Sequence, residues 1–266
     1  VTRAGCIGPV KATIGFIGVS TMRVILLHGL IAAPALAKAS ASIPASALLI
    51  SQSSPSIDWR WRIAPEAATQ PALLRTMRAE ALAEAGKAKS AAMRDAASAK
   101  KAGFPFRRYE TINDWSLATD TSHLLALAGD VYSFTGGAHG NSGFAARIWD
   151  KTAKRRIPID ALFNDWPRAR KLIEPVFCKA LAEEQARRRS GQSLGNDFDA
   201  CPKLSEQPML PFGGLSRRAG QFRVLVAPYV AGPYSEGAYL VTAAWPESVR
   251  GLVKPAYRAD LFGTDE

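Results

Sequence analysis

Few side chains here could do chemistry, and they are scattered. His139 stands alone after Gly136 and Gly137, with Ser133 and Asp130 a few residues before it and Tyr229 far along the chain. A histidine with a serine and an aspartate could form an acyl-transfer set, but such a set is defined by geometry and no G-x-S-x-G turn presents the serine. Glu110, Asp114, Asp120 and Asp130 could furnish the paired carboxylates of glycoside hydrolysis, although sequence alone does not pair them. Cys178 and Cys201 remain when Cys6 is set apart, and an even pair in an exported chain predicts one disulfide. Neither cysteine has a histidine at metal-ligand spacing, and no phosphate loop, dinucleotide fingerprint, zinc-protease helix motif or calcium loop occurs. The expectation is therefore of no metal and no cofactor.

The N-terminal residues point to export. Residues 1–39 hold no Asp or Glu. Met22-Arg23 precedes an apolar run, Val24 to Leu36, and Ala37-Lys38-Ala39 follows. A basic start, an apolar stretch of about 13 residues and an A-x-A site form a secretory signal peptide. Translation is expected to start at Met22, with residues before it an upstream extension and cleavage after Ala39. An uncleaved anchor is the alternative, and it would be the chain's only link to a membrane. Residues 40–56, rich in Ala, Ser and Pro, read as a flexible lead-in.

Net charge is +11, and about +7 without the four N-terminal basic residues. A basic exported protein is drawn to acidic surfaces, including lipid headgroups and wall polymer. Nucleic acid is not expected, because export argues against it and no nucleic-acid-binding motif appears.

The positioning elements follow from periodicity. Ile57-Asp58-Trp59-Arg60-Trp61-Arg62-Ile63 alternates as a half-buried strand. Trp59 and Trp61 could instead form a sugar-binding surface. Pro65 to Lys101 reads as one long helix or two, with Pro71 near an early boundary. Strands are expected over Phe106–Asp120, Ser122–Phe134, Phe144–Trp149 and Arg155–Ile159, with Pro158 unsuited to a central strand. Asp165 to Ser190 reads as a second helix capped by Asp165, its Arg187-Arg188-Arg189 a solvated end. After a polar loop, Gln221–Ala227 and Tyr239–Trp245 read as strands, and Ser248–Phe262 as a short final helical piece. The class is α+β: antiparallel sheet packed with two main helices, as two closely associated αβ units at 57–163 and 164–266.

Three segments carry a family resemblance. Tyr132-Ser133-Phe134-Thr135-Gly136-Gly137-Ala138-His139 resembles a Y-x-Y-T-G-G-A-H signature. Trp149 to Phe163 resembles an N-x-D-x-x-T-G-K-x-L-x-L-x-D-L-F segment, with Ala153 in place of the glycine. Phe222 to Pro233, ending Ala227-Pro228-Tyr229-Val230-Ala231-Gly232-Pro233, resembles an F-x-P-Y-x-x-A-P-Y-A-A-G-P segment. All three are similar to an exported domain family of unknown function. Its members include the non-catalytic region beside the catalytic domain of the deacetylase PdaC and the extracellular lysozyme-binding domain of the anti-sigma factor RsiV. The signal peptide, which has no lipobox, implies a periplasmic location, and the resemblance implies a non-catalytic domain that binds cell-wall glycan or a wall-active protein such as lysozyme. Tyr132, Thr135, Gly136, Gly137, His139, Tyr229 and Tyr234 are the candidate binding residues. A cell-envelope hydrolase or esterase using His139 is the alternative. A catalytic His139 should lie near an acid or nucleophile, whereas a structural one should have its ring satisfied by backbone.

Overall fold

The structure is a computed structural model that describes residues 48–216 and 218–263, all within one compact unit, Ser42–Glu266. The expected signal peptide, start site and cleavage site lie outside the described residues.

Six strands form the first sheet: β1 (Leu49–Ser53), β2 (Ile57–Ile63), β3 (Tyr109–Asp120), β4 (Leu124–Phe134), β5 (Asn141–Asp150) and β6 (Arg155–Ile157), in that spatial order. Every neighbouring pair is antiparallel except β2–β3. That parallel pair is bridged by a 3-10 turn, Pro65–Thr69, and the long helix α1 (Pro71–Lys101). The second sheet is a meander of β7 (Met209–Phe212), β8 (Gln221–Val226) and β9 (Tyr239–Ala244). Helix α2 (Trp166–Arg188) packs on β9, and α3 (Pro255–Phe262) ends the described chain.

Alternation assigns the two faces of the large sheet. Ile57, Trp59, Trp61 and Ile63 are buried in one core with Leu73, Met77, Ala81, Ala85 and Ala92 of α1. The spacing of these helix residues makes one stripe, and its alanines let the helix lie close to the tryptophans. Along β4, Leu125 and Leu127 join this core while Leu124 and Ala126 join the second core, with α2 and the small sheet. The continuous apolar run 124–128 is thus a strand buried on both faces. Leu117 faces the first core and Ala118 the second, and a register shift between Leu117 and Thr119 leaves Ala118 as the extra residue, so that Thr119 pairs with Ala126. Gly129 lies flat under the Trp115 ring, where a Cβ would come within 2.8 Å.

The second core spans both sheets, so the two αβ halves share one interior. Asp165 caps α2 as expected, its Oδ1 accepting the Arg168 N–H at 3.0 Å. The disulfide Cys178–Cys201 is formed, with Cα atoms 5.4 Å apart.

Three expectations are corrected. The lead-in 40–56 is not flexible throughout: Leu49–Ser53 pairs with β2, whose backbone groups would otherwise lack partners along that edge. The polar loop before residue 221 contains β7, a four-residue edge strand that Pro211 hides from a sequence reading. The triple arginine is not simply a solvated helix end, because Arg189 is only 6% exposed.

Candidate functional site

The β4–β5 hairpin closes at Ser133↔Asn141 and projects Thr135 to Gly140 as its tip. Gly136 takes φ +94°, a conformation that suits glycine. Gly137 has open surroundings and no positive φ. Gly140 is the more constrained position, for any side chain there would overlap the Tyr132 ring. Tyr132 covers this glycine and the chain turns back beneath it. The Arg107 guanidinium holds the far side of the tip, donating to the Gly137 carbonyl at 2.6 Å and lying over the Phe134 ring.

The partner loop joins β8 to β9. Its backbone is held by the end of α2. Gln185 Nε2 and Arg189 Nη2 both donate to the Ala231 carbonyl, at 2.9 and 2.8 Å. Arg188 Nη1 donates to the carbonyls of Glu236 and Ala238. Arg189 grips the Glu236 carboxylate with two nitrogens and Asp199 with a third. The Tyr239 hydroxyl also donates to Glu236. The Arg189 guanidinium and this hydroxyl hold the Glu236 carboxyl below its ordinary value, against the opposing effect of burial. Tyr229, at φ +69°, sits in a tight turn closed by its N–H to the Gly232 carbonyl.

These two loops meet. The His139 and Tyr234 rings stack with centroids 4.2 Å apart, and Tyr229 lies 5.5 Å from Tyr234. Offset ring pairs of this kind contribute about 0.5–1.5 kcal/mol each beyond burial. Tyr234 Oη donates to the Gly140 carbonyl at 3.0 Å. His139 Nδ1 donates to the same carbonyl at 2.9 Å, which leaves Nε2 to accept from the Tyr229 hydroxyl at 3.4 Å. Tyr229 and Tyr234 stay 51% and 37% exposed, unlike Trp59 and Trp61, which are 2% exposed and belong to the core.

The candidate residues thus divide. Tyr132, His139, Tyr229 and Tyr234 converge around Gly140. Thr135 and Gly136 instead line a hollow of about 250 Å³ with Asp95, Phe106 and Arg107. Among the described residues, the His139 ring hydrogen-bonds only to the Gly140 carbonyl and the Tyr229 hydroxyl, with neither Ser133 nor Asp130. Asp130 faces Asp114 across β3–β4, and Arg62 pairs with Asp114 at 2.8 Å. Lost hydration, then the nearby Asp114 charge, raise the Asp130 carboxyl above its ordinary value. Asp120 pairs with Lys151.

The face of the large sheet opposite α1 carries Arg60, Arg62, Asp58 and Glu110 in line with Tyr132 and Phe134. A groove of about 290 Å³ runs there past Ser51, Asp58, Arg60, Glu110 and Ile112.

Sequence reasoning missed two features. The clamp by Arg188 and Arg189 could have been suspected from three arginines closing a helix, but its acceptors in the β8–β9 loop lie 42–50 residues away. The pair between His123 Nδ1 and buried Asp260 Oδ2, at 2.9 Å, spans 137 residues and left no local signal. Asp260 Oδ1 also accepts the His123 backbone N–H, so this contact fastens α3 to the β3–β4 turn.

The α+β fold and the likeness to known proteins are consistent with the domain family of unknown function that the three motifs resemble. Residues 64–142 match the model of the family described as deacetylase PdaC. That segment contains α1, β3, β4 and the hairpin tip with His139, and it ends before the Tyr229 motif. A DUF3298 family protein from Bacteroides fragilis is similar in fold, with 11% identity and a TM-score of 0.53 over 81% of this chain and 96% of that one. Another DUF3298 family protein, from Pseudomonas aeruginosa, aligns at 16% identity and a TM-score of 0.45, over 78% and 91% of the two chains. No curated protein matches this chain.

Proposed function

We propose that this chain is a non-catalytic binding domain of the bacterial periplasm, and that its Tyr229–Tyr234–His139 cluster engages cell-wall glycan. The carrying observation is the pair of exposed tyrosine rings stacked beside His139 and fixed by hydrogen bonds. Sugar rings stack on such faces, and fixed rings lose little freedom on binding. The groove lined by Arg60, Asp58, Glu110 and Ser51 supplies polar partners on the same side of the sheet as Tyr132. The disulfide fits an oxidising compartment.

A lysozyme-like partner is the second reading, from the family resemblance. Its charge needs an acidic patch on this basic chain. Glu184 and Asp199 are engaged by Arg187, Arg188 and Arg189, and Glu183 lies near Lys179, which weakens that patch. Among the described residues, no carboxylate or serine hydrogen-bonds to the His139 ring to support the hydrolase reading.

The test is retention of residues 42–266 on insoluble peptidoglycan, with lysozyme as a competing soluble partner and salt varied. Salt-resistant retention is expected. Loss of retention at moderate salt would reduce the interaction to charge alone, and capture of lysozyme instead would move the reading to a protein partner.

A further inference from the structure

One exposed flank of α1 has a composition that the core does not explain. Arg75, Leu82, Lys89, Met93 and Lys100 recur at seven- and four-residue spacings and form one exposed stripe on a flank of the helix, about a third of a turn from the buried residues. Leu82 is 49% exposed and Met93 56%, and Phe104, just past the helix end, is 71% exposed. No acid shares this stripe. The three acids of α1 are turned elsewhere: Glu80 toward Arg147 and Arg156, Glu84 toward Arg147, and Asp95 toward the Tyr109 hydroxyl. Among the described residues, Arg75, Lys89 and Lys100 make no ion pair.

We propose that this face of α1 docks on an anionic lipid surface. Cations spaced along a helix attract anionic headgroups, each worth roughly fivefold in affinity near the surface. Leu82, Met93 and Phe104 would enter the acyl boundary while the cations stay among the headgroups, the arrangement of an interfacial helix. An acidic polysaccharide would satisfy the charges but gives the apolar side chains no partner, which favours lipid. The helix is about 46 Å long and can lie flat. It covers the side of the large sheet opposite Arg60 and Tyr132, so this inference stands apart from the glycan reading.

The test is sedimentation of residues 42–266, which contain both hydrophobic cores, with vesicles. Vesicles of phosphatidylcholine and of phosphatidylcholine mixed with phosphatidylglycerol are compared. Binding to the mixed vesicles alone is expected. Reversal of charge at Arg75, Lys89 and Lys100 should weaken it by about tenfold or more, and Leu82→Ser with Met93→Ser by about threefold to tenfold. All five side chains are exposed, and a melting curve checks that the variants fold. No binding to mixed vesicles, equal binding to neutral ones, or indifference to the charge reversals would overturn the proposal. So would binding that ignores the serine variants and is displaced by dextran sulfate, which would mark an acidic-polymer surface.

Discussion

The two loops that meet at Gly140 are held in different ways. The β4–β5 tip is fixed by its own neighbourhood: a 133↔141 ladder end, a positive φ at Gly136 and the Tyr132 ring over Gly140. The longer β8–β9 loop also starts from a ladder end, Val226↔Tyr239, but its backbone is anchored by three side chains from the end of α2. One side of the cluster is built mainly by local sterics with a single long-range cation, Arg107, and the other by several long-range charge-assisted hydrogen bonds. The aromatic cluster should therefore come apart in two separable ways.

The largest effect should come from the clamp. Arg189→Ala leaves the Glu236 and Asp199 carboxylates without their shared cation and should cost about 3 kcal/mol or more, read by urea unfolding. Faster amide exchange should appear at residues 229–238 and leave the hairpin tip quiet. Because the Glu236 carboxyl is lowered when folded, its contribution is present above its ordinary value of 4.5 and declines as pH falls below that. Glu236→Gln should flatten this acid limb.

Removing the disulfide with Cys178→Ser and Cys201→Ser comes next. The bond closes a 23-residue separation, worth about 3 kcal/mol in the chain-entropy description. It holds the chain near Asp199, so denaturant melts with and without reductant should differ for the wild type and coincide for the variant.

The hairpin side is probed by two glycines. Gly140→Ala should cost about 1–3 kcal/mol, because the added carbon overlaps an aromatic ring. Gly137→Ala should stay within about 0.5 kcal/mol. Equal effects at the two positions would contradict the local account of this tip. The smallest effect is expected at Asp130→Asn, a gain of a few tenths of a kcal/mol at neutral pH. The Asp130 carboxyl is raised when folded, so the folded state favours its protonated form. Wild-type stability from this group is present below the ordinary value of 3.8 and is lost as pH rises through the raised value. The asparagine's advantage should vanish in acid.

These differences also decide what the sequence could reveal. The alternation of Ile57 to Ile63, the Asp165 cap and the Cys178–Cys201 bridge are written in short spacings or in a count of two, and they are found as expected. Strand β7 is not legible, because four residues with a proline carry too little periodicity. Gly136 and Gly137 drew attention as a pair, whereas steric demand falls on Gly136 and Gly140, and only the Tyr132 ring reveals the latter. Trp59 and Trp61 resembled a sugar platform until α1 covered them. The meeting of His139 with Tyr229 and Tyr234 spans 90 or more residues, and the α2 arginines enforce it through contacts that no local pattern encodes.

Wall glycan is the proposed ligand of the exposed Tyr229–Tyr234–His139 cluster. The most direct measurement is titration of isotopically labelled residues 42–266 with soluble peptidoglycan fragments, followed by the ring resonances of these three residues. Saturable shifts at all three, abolished in the Arg189→Ala protein but retained in Gly137→Ala, are the predicted result. Unmoved rings, or shifts confined to arginines and lost on adding salt, would contradict it.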